Sequence, residues 1–256
     1  MEVLVLGSGT SHGVPMIGCQ CAVCTSSDPR NRRFRPSIAV RASERTILVD
    51  ATPELRLQAL TFGLDRVDAV LVTHTHADHI MGLDDIRRFN DLRDAEVPVY
   101  GDPSSLDDIR RIFRYVFVST QVGGGKPRIT LHDAPDRFEL CGIPVRSLRV
   151  YHGRLPILAY RFGPFAYVTD VNRIPPETMD ALRGLDTLML DTVRPTPHET
   201  HFGLQEALDV IAELSPRSAY LTHLSHHYDH AATNATLPPG VELAYDGLTL
   251  RFDESE

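Results

Sequence analysis

No stretch of this 256-residue chain approaches the ~20 consecutive apolar residues that would span a bilayer. The opening residues, MEVLVLGSGT, have neither a basic segment nor an apolar core long enough for an export signal. A membrane partner is therefore not expected, and the expected location is the cytoplasm. Basic residues are in deficit. The 26 Lys and Arg against 34 Asp and Glu leave a formal charge of −8, which works against a nonspecific grip on nucleic acid while leaving room for a local basic patch. No internal repeat is visible. The glycine-rich turn GSGTSHG (7–13) lacks the spacing of a Walker or dinucleotide-binding loop and reads as a structural turn with room for substrate contact. Cysteine is scarce, at four residues, yet three are crowded together as Cys19, Cys21 and Cys24 in GCQCAVC, with Cys141 alone. In a reducing compartment such a cluster suits a metal better than a disulfide framework.

Histidine is plentiful. Eight of the twelve lie in two groups: His74, His76 and His79, and then His201 with His223, His226, His227 and His230. The remaining composition, 42% apolar and 23% charged, is ordinary for a globular chain. The length suffices for a sizeable core and reads as one domain over 1–256. Strand-like runs recur, among them EVLVLG (2–7), SIAVRA (37–42), TILVDA (46–51), AVLVTH (69–74), IPVRSLRV (143–150), AYVTD (166–170), TLMLDT (187–192) and SAYLTH (218–223). Helical patterns predict PELRLQALTFG (53–63), DHIMGLDDIRRFNDLR (78–93) with Asp78 placed to cap, SSLDDIRRIFRYVF (104–117), ETMDALRGL (177–185) and LQEALDVIAELS (204–215). Strands both adjacent and separated by helices suggest two mixed sheets packed together with helices outside, an α/β class. TQVGGGKPR (120–128) reads as a loop. Asp246-Gly247 in AYDGLTL signals a type I′ hairpin. The four arginines of PRNRRFR (29–35) read as a solvated face in preference to a phosphate site.

The segment VTHTHADHI (72–80) places three histidines and an aspartate where an apolar strand ends and a helix begins. In an extended chain His74 and His76 point the same way. Asp78 and His79 then fall at the turn into the helix, and strand ends in α/β folds line ligand crevices. This spacing lets His74 and His76 hold one cation while Asp78 and His79 turn toward a second. Imidazole and carboxylate suit Zn, Mn or Fe(II).

The pattern His-x-His-x-Asp-His in HTHADH resembles the signature of the metallo-β-lactamase superfamily. The likeness continues in chain order through Asp50 in ILVDA, His152 in VYHGR, Asp170 in YVTD and His223 in YLTHLS. It implies a four-layer αβ/βα sandwich. It also implies one metal site of His74, His76 and His152, a second of Asp78, His79 and His223, Asp170 bridging the two, and Asp50 as a structural carboxylate. Read from the residues alone, His152 also fits a surface loop and Asp170 a helix cap.

Three thiolates need a fourth ligand to close a tetrahedral zinc, and Cys141 and His226 are both candidates. GSGTSHGVPMIGCQCAVC together with LTHLSHHYD is similar to the PhnP family, phosphodiesterases of the carbon–phosphorus lyase pathway of phosphonate catabolism. That resemblance implies a structural zinc on Cys19, Cys21, Cys24 and His226, bracing the loop of His223. It implies two divalent catalytic metals, Mn or Zn, with Asp78 and His201 as the catalytic residues and His201 as general acid. The implied substrate is a small phosphorylated sugar, 5-phosphoribosyl 1,2-cyclic phosphate, opened to ribose 1,5-bisphosphate by a hydroxide shared between the metals, in a homodimer. LTHLSHHY and HFGLQEAL also resemble the tRNA 3′-processing nucleases of the tRNase Z type. The acidic balance and the lack of a protruding arm weigh against them, and nucleic acid is not an expected partner. The cysteine cluster also resembles PqqB, an accessory protein without turnover, against which the intact histidine motif speaks. Thioester or lactone hydrolysis, also known in the superfamily, fits His201 less well. No role is assigned to His132, His198, His227 or His230.

Overall fold

The first six strands are β1 (Glu2–Gly7), β2 (Ser37–Ala42), β3 (Arg45–Val49), β4 (Ala69–Leu71), β5 (Val97–Gly101) and β6 (Ile129–Asp133), which lie together in one sheet of the computed structural model. The structure describes residues 1–119 and 125–253, so residues 120–124 of the expected 120–128 loop lie outside the described residues. The next seven strands form a second sheet: β7 (Arg137–Leu140), β8 (Ile143–His152), β9 (Leu155–Phe162), β10 (Phe165–Val168), β11 (Thr187–Asp191), β12 (Ser218–Thr222) and β13 (Val241–Leu243). The last strand, β14 (Thr249–Arg251), returns to the first sheet beside β1. Both sheets follow one plan. Antiparallel strands come first (β1–β3 and β7–β10), and parallel strands with crossover connections follow (β3–β6 and β10–β13).

The strands read as continuous apolar runs because both faces of each sheet are covered. Val3, Val5, Ile38, Val40, Ile47 and Val49 face the other sheet and meet Leu158, Tyr160, Phe162, Phe165 and Tyr167. The alternate residues Leu4, Leu6, Ala39 and Leu48 face outward under α1 (Leu55–Phe62), α3 (Ile86–Arg93), α4 (Pro103–Ile112) and the short α5 (Arg114–Phe117). On the second sheet, Ile157, Ala159, Leu188 and Leu190 pack under α6 (Pro176–Leu182) and α7 (Leu204–Leu214). The result is the four-layer αβ/βα sandwich of the metallo-β-lactamase fold. Among the described residues, no helix is long and apolar enough to cross a membrane.

Three local expectations are corrected. The predicted helix over 78–93 is broken into α2 (Ala77–Ile80), a 3-10 turn at Leu83–Asp85 and α3. Asp78 lies in the first turn of α2, and His76, not Asp78, stands at its N-cap. The break falls at Gly82, whose N–H donates to the Ala51 carbonyl at 2.8 Å as the two backbones press together. The Asp246-Gly247 turn does not close a hairpin, because β13 and β14 belong to different sheets. The Asp246 carboxylate instead accepts from Ser8 N and Oγ (both 2.8 Å) and from Phe34 N (2.6 Å), tying the sheet crossing to the turn after β1. The arginine-rich stretch is only half solvated. Arg30 and Arg32 are exposed, while Arg33 is buried and donates to the carbonyls of Ser225 (3.1 Å) and Tyr228 (2.8 Å). Arg35 pairs with Glu54 and donates to the Ser11 carbonyl.

A Cβ at Gly82 would lie 1.9 Å from the Thr52 carbonyl oxygen, so backbone must move to admit it. Gly82→Ala should therefore lower stability by about 1–3 kcal/mol, the range for overpacking a filled site, as read from the urea midpoint.

Candidate metal centre

The parallel strands of each sheet deliver their C-terminal ends to one edge. Asp50 follows β3 and residues 72–79 follow β4, so both emerge at one rim of the first sheet. Asp170 follows β10, Asp191 ends β11 and His223 follows β12 at the matching rim of the second. His152 ends β8. Bonds between the sheets lock the two rims together: Leu158 N donates to Thr73 O (3.0 Å), and the Tyr160 hydroxyl donates to Val72 O (2.8 Å). At the rim the chain turns sharply. Asp50 (φ 62°), Asp170 (φ 55°) and His223 (φ 61°) all take the left-handed region, which costs a non-glycine residue on the order of 1–3 kcal/mol and persists where the surroundings enforce it.

Four overlapping groups of ligating atoms result, two of them, His152/Asp170/His201 and Asp191/His201/His223, including His201; the other two carry the expected ligands. In each, the atoms lie within 4.8 Å of one another: His74, His76 and His152 in one, and Asp78, His79, Asp170 and His223 in the other. Asp170 spans both. Its oxygens stand 3.3 Å from His79 Nε2, 3.3 Å from His223 Nε2 and 4.0 Å from His74 Nε2. His74 and His76 converge through the turn after β4, which ends at Leu71, and not along an extended strand.

The imidazoles are oriented by their other nitrogen. His79 Nδ1 meets Asp50 Oδ2 at 2.7 Å, and His152 Nδ1 donates to the Thr200 carbonyl at 2.8 Å. Thr73 Oγ1 donates to Asp50 Oδ2 (2.8 Å) and so can accept from His74 Nδ1 (3.0 Å). Nε2 of each ring is thereby turned to the shared space. Nε2 of His74, His79 and His223 is buried without a hydrogen-bond partner. Three orphaned nitrogens converging on carboxylates is an arrangement that divalent cations satisfy, since buried polar atoms otherwise lose their hydration without return. The residues therefore fit a dinuclear site.

The electrostatics agree. Burial pushes His74 well below the usual imidazole range, helped by the neighbouring His79, and leaves it in the neutral, ligating form. Burial opposes the charged forms of Asp78 and Asp170, but His79 and His223 outweigh it and hold both carboxyls below the ordinary range. Burial likewise opposes the His223 cation, yet Asp170, Asp78 and Asp191 push its pKa up to about 9.

His201 is buried beside this group. Its ring stacks on His223 with centroids 4.7 Å apart, and lies 4.5 Å from the His152 ring. Its Nδ1 is 3.0 Å from Asp191 Oδ2, while Asp191 Oδ1 stands 3.4 Å from His223 Nδ1. Asp191 is fully buried and also accepts from Val171 N. It has no counterpart among the residues expected from the sequence. The signal available was its position, since it ends an apolar strand as Asp50 and Asp170 do.

The second cluster lies apart. Sγ of Cys19, Cys21 and Cys24 stand 3.2, 3.5 and 3.6 Å from His226 Nδ1, the spacing of donors around one tetrahedral ion. Cys141 lies elsewhere, at the turn between β7 and β8. Backbone N–H groups of Cys24 and Met16 donate to the sulfurs of Cys21 and Cys24. The first of these brings Cys21 down to about 6, toward the thiolate that binds metal, whereas burial pushes Cys24 up to about 11.

Asp191→Asn should weaken cation binding at the His/Asp cluster by about 10–100-fold, the usual cost of removing a carboxylate behind a ligating histidine, as measured by chelator competition. Cys21→Ser should lower both the melting temperature and the metal content of the His/Asp cluster. Unchanged values for both would remove the bracing role of the cysteine site.

Residues 45–224 match the family described as the beta-lactamase superfamily domain. Among solved structures, a diphosphatase from the PhnP family is 43% identical with a TM-score of 0.92, covering 98% of this chain and 96% of that one. Zinc-bound PqqB from Methylobacterium extorquens shares the fold at 21% identity, with a TM-score of 0.77 over 98% of this chain and 100% of that one. An octanoyltransferase of Porphyromonas gingivalis is 39% identical over 259 residues, which cover 99% of this chain. The chain spans about half (52%) of that relative's length, so its name describes a longer protein. Matched by family, fold and near-complete alignment, this chain belongs to the beta-lactamase superfamily and, within it, to the PhnP type.

Proposed function

We propose that the chain is a metal-dependent phosphodiesterase acting on a small cyclic phosphodiester, with 5-phosphoribosyl 1,2-cyclic phosphate opened to ribose 1,5-bisphosphate as the best-fitting reaction. The observation that carries this reading is the convergence of seven ligating side chains with a histidine, His201, that is buried beside them and backed by a carboxylate. His74, His76 and His152 would hold one cation and Asp78, His79 and His223 the other, with Asp170 between them. Such cations, when bound, activate water near neutral pH and offset the charge on phosphoryl oxygens.

The chain's own residues supply the rest. A diester must lose an alkoxide, which is a poor leaving group until protonated. His201 is the proton donor in this reading: Asp191 holds its Nδ1 proton and fixes the ring, leaving Nε2 to face the departing oxygen. The His152–Thr200 bond ties the loop of a ligand to the loop of the acid, so the two keep a constant separation. Thr73 and Asp50 orient His74 and His79 from behind without entering the reaction space.

A second reading comes from the PhnP-family neighbour described as a diphosphatase. Water attack on a phosphoric anhydride would use the same residues, but its leaving phosphate needs less help from an acid.

The test combines metal analysis with turnover of the ribose cyclic phosphate, an aryl phosphodiester, a diphosphate and a precursor tRNA. His201→Ala should keep its metal and lose about 10²–10⁴-fold in kcat on the ribose substrate, with much smaller loss on an aryl diester whose leaving group needs no proton. Equal loss on both would remove the acid role. Cleavage of the tRNA alone would point to the nuclease reading, and no turnover by fully metallated protein to an accessory one.

A further inference from the structure

Beyond Asp170 the chain continues as Val171-Asn172-Arg173 and runs beside the end of β8. Tyr151 N donates to Arg173 O and Asn172 N to Tyr151 O, each at 3.0 Å, which pairs the two stretches as an antiparallel bridge. The Asn172 side chain reaches past this pair to a third segment. Its Oδ1 accepts from Gly153 N at 2.8 Å, and its Nδ2 donates to the Glu199 carbonyl at 2.7 Å. Gly153 follows His152 directly, and Glu199 stands just ahead of His201. We propose that Asn172 is a positioning residue for both histidines, setting where His201 stands relative to His152. The assignment rests on the phosphodiesterase reading, with His201 as proton donor, and adds the residue that aligns it.

The segment before His201 needs such a tie. Among the described residues, no backbone-to-backbone hydrogen bond holds 196–200. Arg194 donates to the Pro197 carbonyl from close by in the chain, at 2.7 Å. Two bonds arrive from elsewhere in the chain: His152 Nδ1 to the Thr200 carbonyl and Asn172 Nδ2 to the Glu199 carbonyl. The first comes from a ligating ring, so it moves with that ring. Asn172 belongs to neither histidine's segment, and it holds the two from a common point two residues past Asp170. Gly153 completes the contact. It turns through the left-handed region (φ 62°), and a Cβ there would lie 3.0 Å from Thr200 Cγ2, so the turn after His152 packs closely on the segment that leads to His201.

A carboxamide suits this place because it carries an acceptor and two donors on one planar end. It can therefore take an N–H from one strand end and serve a C=O of another segment together. Aspartate keeps the shape and the acceptor but offers no proton to the Glu199 carbonyl, so two oxygens would face each other there. Alanine removes both bonds. The two substitutions thus separate the tie to His201 from the tie to His152. An acid displaced by a fraction of an ångström delivers its proton poorly, and the loss falls on reactions that need that proton.

The test compares 5-phosphoribosyl 1,2-cyclic phosphate, which loses an alkoxide, with a p-nitrophenyl phosphodiester, whose leaving group needs no proton. With metal-loaded protein, Asn172→Asp and Asn172→Ala should each lose about tenfold or more in kcat on the first and little on the second, as expected for one hydrogen bond to the segment of the acid. Agreement between a charged and a neutral replacement excludes charge as the cause. In chelator competition Asn172→Asp should bind cations at least as tightly as the unaltered chain, and Asn172→Ala about tenfold more weakly. Equal losses on the two substrates, or no loss on either, would overturn the tie to His201, since a purely structural role slows both together. If the unaltered chain turns over neither compound, or His201→Ala slows both equally, the reading of His201 as acid fails by itself. Cation affinity then decides what is left: weaker binding in Asn172→Ala but not in Asn172→Asp supports the positioning of His152, and unchanged binding in both removes it.

Discussion

The Asp50 carboxylate, buried at the end of β3, is the contact from which the metal centre hangs. It accepts from Thr73 N and Thr73 Oγ1, each at 2.8 Å, and from His79 Nδ1 at 2.7 Å. Burial pushes its carboxyl up, so the group is costly to keep there. What offsets the cost is His79 and the Thr73 donors. Through Thr73 the same carboxylate reaches His74, and through the Thr73 carbonyl the loop reaches β9 of the other sheet. One buried charge thus aligns ligands for both metal groups and registers the two sheets at their shared rim.

That rim exists because the two halves are built alike. Each sheet begins as an antiparallel meander and ends in parallel strands, and parallel strands end at one edge. Stacking the two sheets face to face brings Asp50 and the 73–79 loop from one half against Asp170, Asp191 and His223 from the other. No repeat is visible in the sequence. The plan lives in strand direction and pairing order, which many different apolar sequences satisfy. The residues turned out at the strand ends are where the halves differ: Asp50, His74, His76, Asp78 and His79 come from the first, and His152, Asp170, Asp191 and His223 from the second.

The amino-terminal cysteine loop belongs to the same construction. Its fourth donor, His226, lies three residues beyond His223, so a metal held there would limit the freedom of a catalytic ligand. Arg33 adds a second clasp between the same segments, through the carbonyls of Ser225 and Tyr228. Burial brings its guanidinium down to about 10, which still leaves it charged near neutrality and able to hold both carbonyls. The stretch 29–35 is thus a fastening for the 223–230 loop as much as a solvated face. A protein whose seven candidate ligands come from four separate stretches of the chain, 74–79, 152, 170 and 223, gains rigidity from such cross-ties, because each removes freedom from a loop that packing alone leaves loose.

Much of the site was legible in the sequence because its chemistry is carried by local spacing. HTHADH and CQCAVC bring donors of the right kind within a turn of one another, and the strands around them show in their apolar runs. His152, Asp170 and His223 could be named through the superfamily resemblance, but their approach to His74 and Asp78 could not be read from spacing. Asp191 shows in the sequence only as an aspartate that ends an apolar strand, since nothing beside it in the chain hints that His201 and His223 will flank it. The Asp246-Gly247 turn misled for the same reason: turn chemistry is local, while the sheet that β14 joins is decided by a pairing with β1 more than 240 residues away. The sequence by itself determined the donors, the strands and the order in which they come. Only the tertiary structure decided which donors face one another, because strand pairing and sheet stacking act between residues that share no neighbourhood in the chain.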